Sequence, residues 1–153
     1  MPEKLPLPPI SAPERRGRLA RIRRLADALG FTGAVEYRHE RSRSGGAQYQ
    51  KASKETEDRI VVFAEAFERD ADPDDFSLAA AMAHERGHQL LLRDARVGRI
   101  SKRSLHPRTE EILASLIGSL LAEMEGDRES LFAKACFDAF EAVEVDPKNW
   151  TSG

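Results

Sequence analysis

With 153 residues, of which 41% are hydrophobic, the chain is long enough for one domain with its own core and short for two. A formal net charge of -2 argues against an overall basic nucleic-acid binder, and a single cysteine excludes an intramolecular disulfide. No run approaches the ~18 consecutive apolar residues that would span a bilayer, so no membrane association is expected.

Residues 1–13 hold five of the eight prolines and are expected to form an extended arm, mobile or laid over the surface of a domain comprising 14–153. So proline-rich a start does not suit a secretion signal, and the expected compartment is the cytoplasm. From Pro13 a helix is predicted to Leu29, burying Leu19, Ile22, Leu25 and Leu29 and stopping at Gly30. Its other face carries Arg15, Arg16, Arg18, Arg21, Arg23 and Arg24. With no interleaved aromatic residue to stack on bases, it reads as a solvated face and not a nucleic-acid surface.

Beyond Gly33 the period changes. Three strands are predicted at Ala34–Arg38, Ala47–Ala52 and Arg59–Phe63, with a turn at Ser42–Gly46. Together they should make a small, mainly antiparallel sheet. Tyr37 and Tyr49 are candidates to polarise a carbonyl from it, and its edge could hold an extended peptide by main-chain hydrogen bonds. His39 has no partner legible in the sequence.

Asp70–Asp75, with Pro73, signals a helix start. The helix runs through Leu78–Ala83 to about Arg93 and carries His84-Glu85-Arg86-Gly87-His88. Residues four apart share a helix face, so His84 and His88 can present two imidazoles to one metal ion. Glu85 beside them can take a proton from metal-bound water. Gly87 costs about 1 kcal/mol in mid-helix relative to alanine, which implies that another backbone or a substrate comes close there.

Residues 94–106 read as polar and irregular. A helix is predicted from Thr109 to about Glu125, with Leu113, Leu116, Ile117 and Leu120 on a bulky side. Glu111, Ala114, Ser115, Gly118 and Ala122 form a small-residue stripe. A last helix, Arg128 to about Ala142, should turn Leu131, Phe132, Ala135, Cys136 and Phe140 inward. Cys136 is then a small core residue in a reducing compartment. Trp150 in the tail is a candidate cover for an apolar patch. The elements add up to an α+β domain of about four helices and three strands.

Catalytic zinc takes three protein ligands and leaves a position for water, so one more donor is needed. The small-residue stripe favours Glu111 and the phase of the bulky apolar face favours Glu110. His106 is a third candidate, as ligand or as oxyanion donor.

The segment His84-Glu85-Arg86-Gly87-His88-Gln89-Leu90-Leu91-Leu92, followed by Glu111-x-x-Ala114-Ser115-x-Ile117-Gly118-x-x-Leu121, resembles the ImmA/IrrE family of metallopeptidase domains. That family has an H-E-x-G-H helix and then a helix reading E-x-x-A-N-x-F-A-x-x-L. The resemblance covers roughly residues 31–125. It implies a minimal zincin-like fold, one zinc per chain held by His84, His88 and Glu111, and Glu85 as general base. It also implies an intracellular, regulatory protease that cuts a repressor or another protein partner. The departures, Arg86, Ser115 and Ala122-Glu123, fall outside the ligand positions. The expected function is therefore zinc-dependent peptide hydrolysis. The alternative is a catalytically inactive zinc-binding or partner-binding module, with a nucleic-acid role for the basic helix ranked below both.

Overall fold

The computed structural model describes residues 7–42, 46–67, 76–93 and 107–144. In chain order these form helix α1 (Ala12–Ala28), strands β1 (Ala34–Arg38), β2 (Ala47–Gln50) and β3 (Arg59–Phe63), and a 3-10 turn (Ala64–Phe67). Helices α2 (Leu78–Arg93), α3 (Pro107–Leu121) and α4 (Glu125–Glu144) follow. The fold is α+β, four helices with a small three-stranded sheet. His106, Val97–Ile100, the acidic run Asp70–Asp75, the turn centre at 43–45 and the tail with Trp150 lie outside the described residues.

Each helix end has a local cause. Ser11 caps α1 through its side chain, with Pro13 in the first turn, and Gly30 ends the helix at φ 74°. Ser77 accepts the Ala80 amide at 3.0 Å and starts α2, while Pro107 occupies the first position of α3. The break between α3 and α4 falls before Gly126, which belongs to α4. Of the arm, Ile10 packs on the core, and the Pro8 carbonyl lies 2.6 Å from His39 Nε2. His39, without a legible partner in the sequence, thus ties the arm to β1.

The sheet order is β1-β3-β2, with β3 parallel to β1 and antiparallel to β2. It is therefore mixed, where the strand pattern suggested mainly antiparallel pairing. The reason is one of insertion. β1 and β2 run in opposite directions, so a strand placed between them must be parallel to one. β3 takes the centre because Ile60, Val61 and Val62 are fully buried and need cover on both faces. β2 is left as an edge.

The main core joins Ile22 and Ala26 of α1, Tyr37, Ile60 and Val62 of the sheet, and Leu78, Ala81 and Met82 of α2. Asp58, just before β3, locks the far side of α2 to this core. Its carboxylate accepts from Gln89 Nε2 at 2.8 Å, from Arg93 at 2.6 and 2.9 Å, and from the Ala52 amide at 2.7 Å. Gln89 also donates to the Thr32 carbonyl at 2.8 Å, and Arg86 to that of Leu29 at 3.1 Å. Burial opposes the Asp58 charge, but these donors overcome it and hold the carboxyl well below the usual carboxylate range.

α2 and α3 cross with backbone against backbone. A Cβ on Gly87 would stand 2.3 Å from the Ala114 carbonyl oxygen, and one on Gly118 would stand 2.9 Å from the Ala83 carbonyl. Each glycine faces an alanine, one turn apart on both helices. The costly Gly87 thus has the close-approach reason its position implied.

α4 corrects the expectation for three side chains. Leu131 and Ala135 are buried as predicted, but Phe132, Cys136 and Phe140 are exposed. Two apolar stripes lie side by side on this helix, and helical spacing alone does not say which one turns inward.

Candidate metal centre

The α2–α3 crossing brings the sequence-predicted residues together. His84 Nε2 and His88 Nε2 are 3.1 Å apart. The Glu111 carboxylate bridges them, Oε2 at 2.9 Å from His84 Nε2 and Oε1 at 3.1 Å from His88 Nε2. Glu110, its neighbour, faces the other side of the same imidazole, 3.4 Å from His88 Nδ1. Geometry thus gives the two adjacent glutamates different positions that sequence pattern left open.

The donor set suits a divalent cation. Two imidazole Nε2 atoms at 3.1 Å form a poor hydrogen bond with each other unless one is protonated. Tetrahedral ligands at ~2.0–2.1 Å from zinc stand ~3.3 Å apart, close to the three separations found. Ser115 Oγ, fully buried, lies 2.9 Å from His84 Nδ1. With Ser115 Oγ accepting a hydrogen bond from Nδ1–H, the lone pair of His84 is left at Nε2, where a cation needs it. Glu85 offers a carboxylate oxygen within 4.8 Å of ligand atoms on both histidines.

Glu85 is held from the sheet. Its Oε2 accepts the Tyr49 amide at 2.6 Å, which joins the edge strand β2 to the helix carrying the motif. Burial pushes its carboxyl up, opposed by the charges of His84 and His88 and by the Tyr49 amide. Glu111 shifts the other way, held low by hydrogen bonds from His84 and His88. Burial opposes charging of His88, yet the Glu111 hydrogen bond and the charges of Glu85, Glu111 and Glu110 raise its pKa overall.

A cleft of about 410 Å³ opens here, lined by Ala47 and Tyr49 of β2, the residues of the centre, and Phe76, Leu92 and Lys134. The two tyrosine hydroxyls stand in different surroundings. Tyr37 is held by Arg18 at 2.6 Å and His39 at 2.8 Å, with Arg15 and Arg18 over its ring. Tyr49 packs its ring edge-on to Phe31, and burial together with Asp58 pushes its hydroxyl up to about 12.

Two contributors escaped the sequence reading. Ser115 was legible as part of the small stripe and, one turn beyond Glu111, could have been paired with His84. The Tyr49 amide could not, since a backbone donor leaves no trace in residue identity. No family model, no curated protein and no solved structure matches the chain.

Proposed function

We propose that this chain is a zinc-dependent peptidase of the ImmA/IrrE kind, with a zincin-like arrangement of its sheet and two central helices. The observation that carries the reading is the convergence of His84 Nε2, His88 Nε2 and the Glu111 carboxylate beside a half-buried, strand-tethered Glu85. Zinc, when bound, polarises a carbonyl and lowers the pKa of water toward neutrality.

The chain's own residues supply the rest. Glu85 accepts the proton of the attacking water on its carboxylate and delivers it to the leaving amine. Burial of this carboxyl brings its basicity nearer to working pH. The edge strand positions substrate. The Phe63 amide donates to the Gly46 carbonyl at 2.8 Å, so alternation along the ladder turns Gly46 and Gln48 toward β3 and Ala47 and Tyr49 outward. The Ala47 amide and carbonyl and the Tyr49 carbonyl can then pair with an extended peptide laid along the cleft.

The substrate on this reading is a specific protein, a repressor or other regulatory partner, met in the cytoplasm. Among the described residues no helix is long and apolar enough to cross a membrane.

Metal content is the first test. About one zinc per wild-type chain, absent from His84→Ala, is expected. Glu85→Gln should keep the metal and lose peptide hydrolysis; a variant that hydrolyses as fast as wild type would remove Glu85 from the chemistry. Zinc bound by a wild-type chain that cleaves no partner protein would favour a partner-binding module.

A further inference from the structure

Helix α1 carries a glycine that the fold does not explain. Gly87 and Gly118 stand where two helices touch, but a Cβ on Gly17 would meet nothing within 4 Å. Glycine weakens a helix interior, so Gly17 makes room for something that approaches from outside the chain. By helical spacing Gly17, Ala20, Arg24 and Ala28 run along the line opposite the buried Ile22 and Ala26, and all four are exposed. Arg21 flanks this line on one side, Arg16 and Arg23 on the other, exposed as well.

The charge of this face is unspent. Arg15 and Arg18 lie over the Tyr37 ring, and Arg18 also holds Glu14 at 3.2 Å. Among the described residues, the side chains of Arg16, Arg21, Arg23 and Arg24 make no ion pair or hydrogen bond. The span Ala12–Ala28 holds six arginines against Glu14 and Asp27 in a chain whose net charge is -2, so positive charge is gathered here. Acids border the C-terminal end, where Ala28 shares a small pocket with Glu123 and Asp127. The cleft of the metal centre is lined from β2, α2, α3 and α4 and lies apart from this face.

The make-up of the face selects among polyanions. A helix that lies on an anionic membrane needs exposed Trp, Phe or Leu to insert, and a protein partner needs a large apolar or aromatic anchor at the centre of the patch. Here the centre is Gly17 and Ala20. The lack of an aromatic residue speaks against a single strand, whose bases stack, but not against a duplex, which is held by its phosphates. The major groove of double-stranded RNA is too deep and narrow for side chains to read, whereas that of B-form DNA, about 12 Å wide, admits a helix between two rows of phosphates. We propose that the outer face of α1 binds double-stranded DNA, with Gly17 and Ala20 toward the major groove and Arg16, Arg21, Arg23 and Arg24 on the phosphates.

Fluorescence anisotropy of the full chain with a labelled DNA duplex of about 20 base pairs tests it. Wild type should bind, and four phosphate contacts should make the affinity fall ~100-fold between about 50 and 200 mM salt. Arg21→Gln and Arg24→Gln should each take about 1 off the slope of log affinity against log salt. Gly17→Leu should weaken binding by closing the approach. All three positions are exposed, so the folded circular-dichroism spectrum should persist. No binding at the lower salt overturns the proposal, and so does a slope indifferent to both glutamines or a Gly17→Leu variant that binds as tightly as wild type. Single-stranded DNA, polyglutamate or phosphatidylserine vesicles that compete as well as unlabelled duplex would give the face to another partner and overturn it too.

Discussion

Glu110 and Glu111 differ by one peptide unit, yet the helix gives each a different nitrogen to face. Glu111 spans both Nε2 atoms, while Glu110 meets only Nδ1 of His88, the position of a carboxylate that orients a ligand from behind. Glu111→Ala should therefore lower zinc affinity more than ~100-fold, and Glu110→Ala by roughly 10-fold, in titrations against a competing chelator. The reverse ranking would exchange their roles. The side chains of this centre were legible because helical spacing is a geometric fact about sequence. What spacing could not do was separate two adjacent carboxylates, since both the small stripe and the bulky face are real features of α3. The strand-borne amide on Glu85 was beyond reach for a different reason, because every residue type but proline offers the same donor.

Among the elements, the α2–α3 crossing controls the centre. His84 and His88 come from one helix and Glu111 from the other, and the crossing has no room for a methyl group at Gly87 or Gly118. Gly87→Ala should cost about 1–3 kcal/mol in denaturant unfolding and reduce zinc affinity as well, because Glu111 moves away with α3. Unchanged affinity would mean that the helices part without moving the ligands. Elements were legible in proportion to how far local pattern decides them. α2 and β3 announce themselves, one by a long helix-forming run and the other by consecutive β-branched residues. The place of β3 between β1 and β2 is decided by burial on two faces, which alternation along a single strand does not encode. On α4, apolar residues occupy adjacent stripes, so Phe132 and Phe140 fit an inward or an outward reading equally well.

At the scale of the whole molecule, Asp58 joins the sheet, the α1–β1 connection and α2. Its carboxyl is held below the unfolded value of ~3.9, so its stabilisation is fully present above that pH and is lost as pH falls below it. Asp58→Asn should cost on the order of 2 kcal/mol at neutral pH, with the gap to wild type closing below about pH 4. Urea unfolding at several pH values reads this directly, and a gap that stays constant into acid would assign the loss to packing instead of charge. The crossing of α2 and α3 also bears on which substitutions the centre tolerates. Its spacing is set by main-chain contact at the two glycines, so side-chain changes that leave that contact intact leave the distance from Glu111 to the two histidines alone. The crossing itself asks only that Gly87 and Gly118 stay small, since a Cβ on either would meet the backbone of the facing helix.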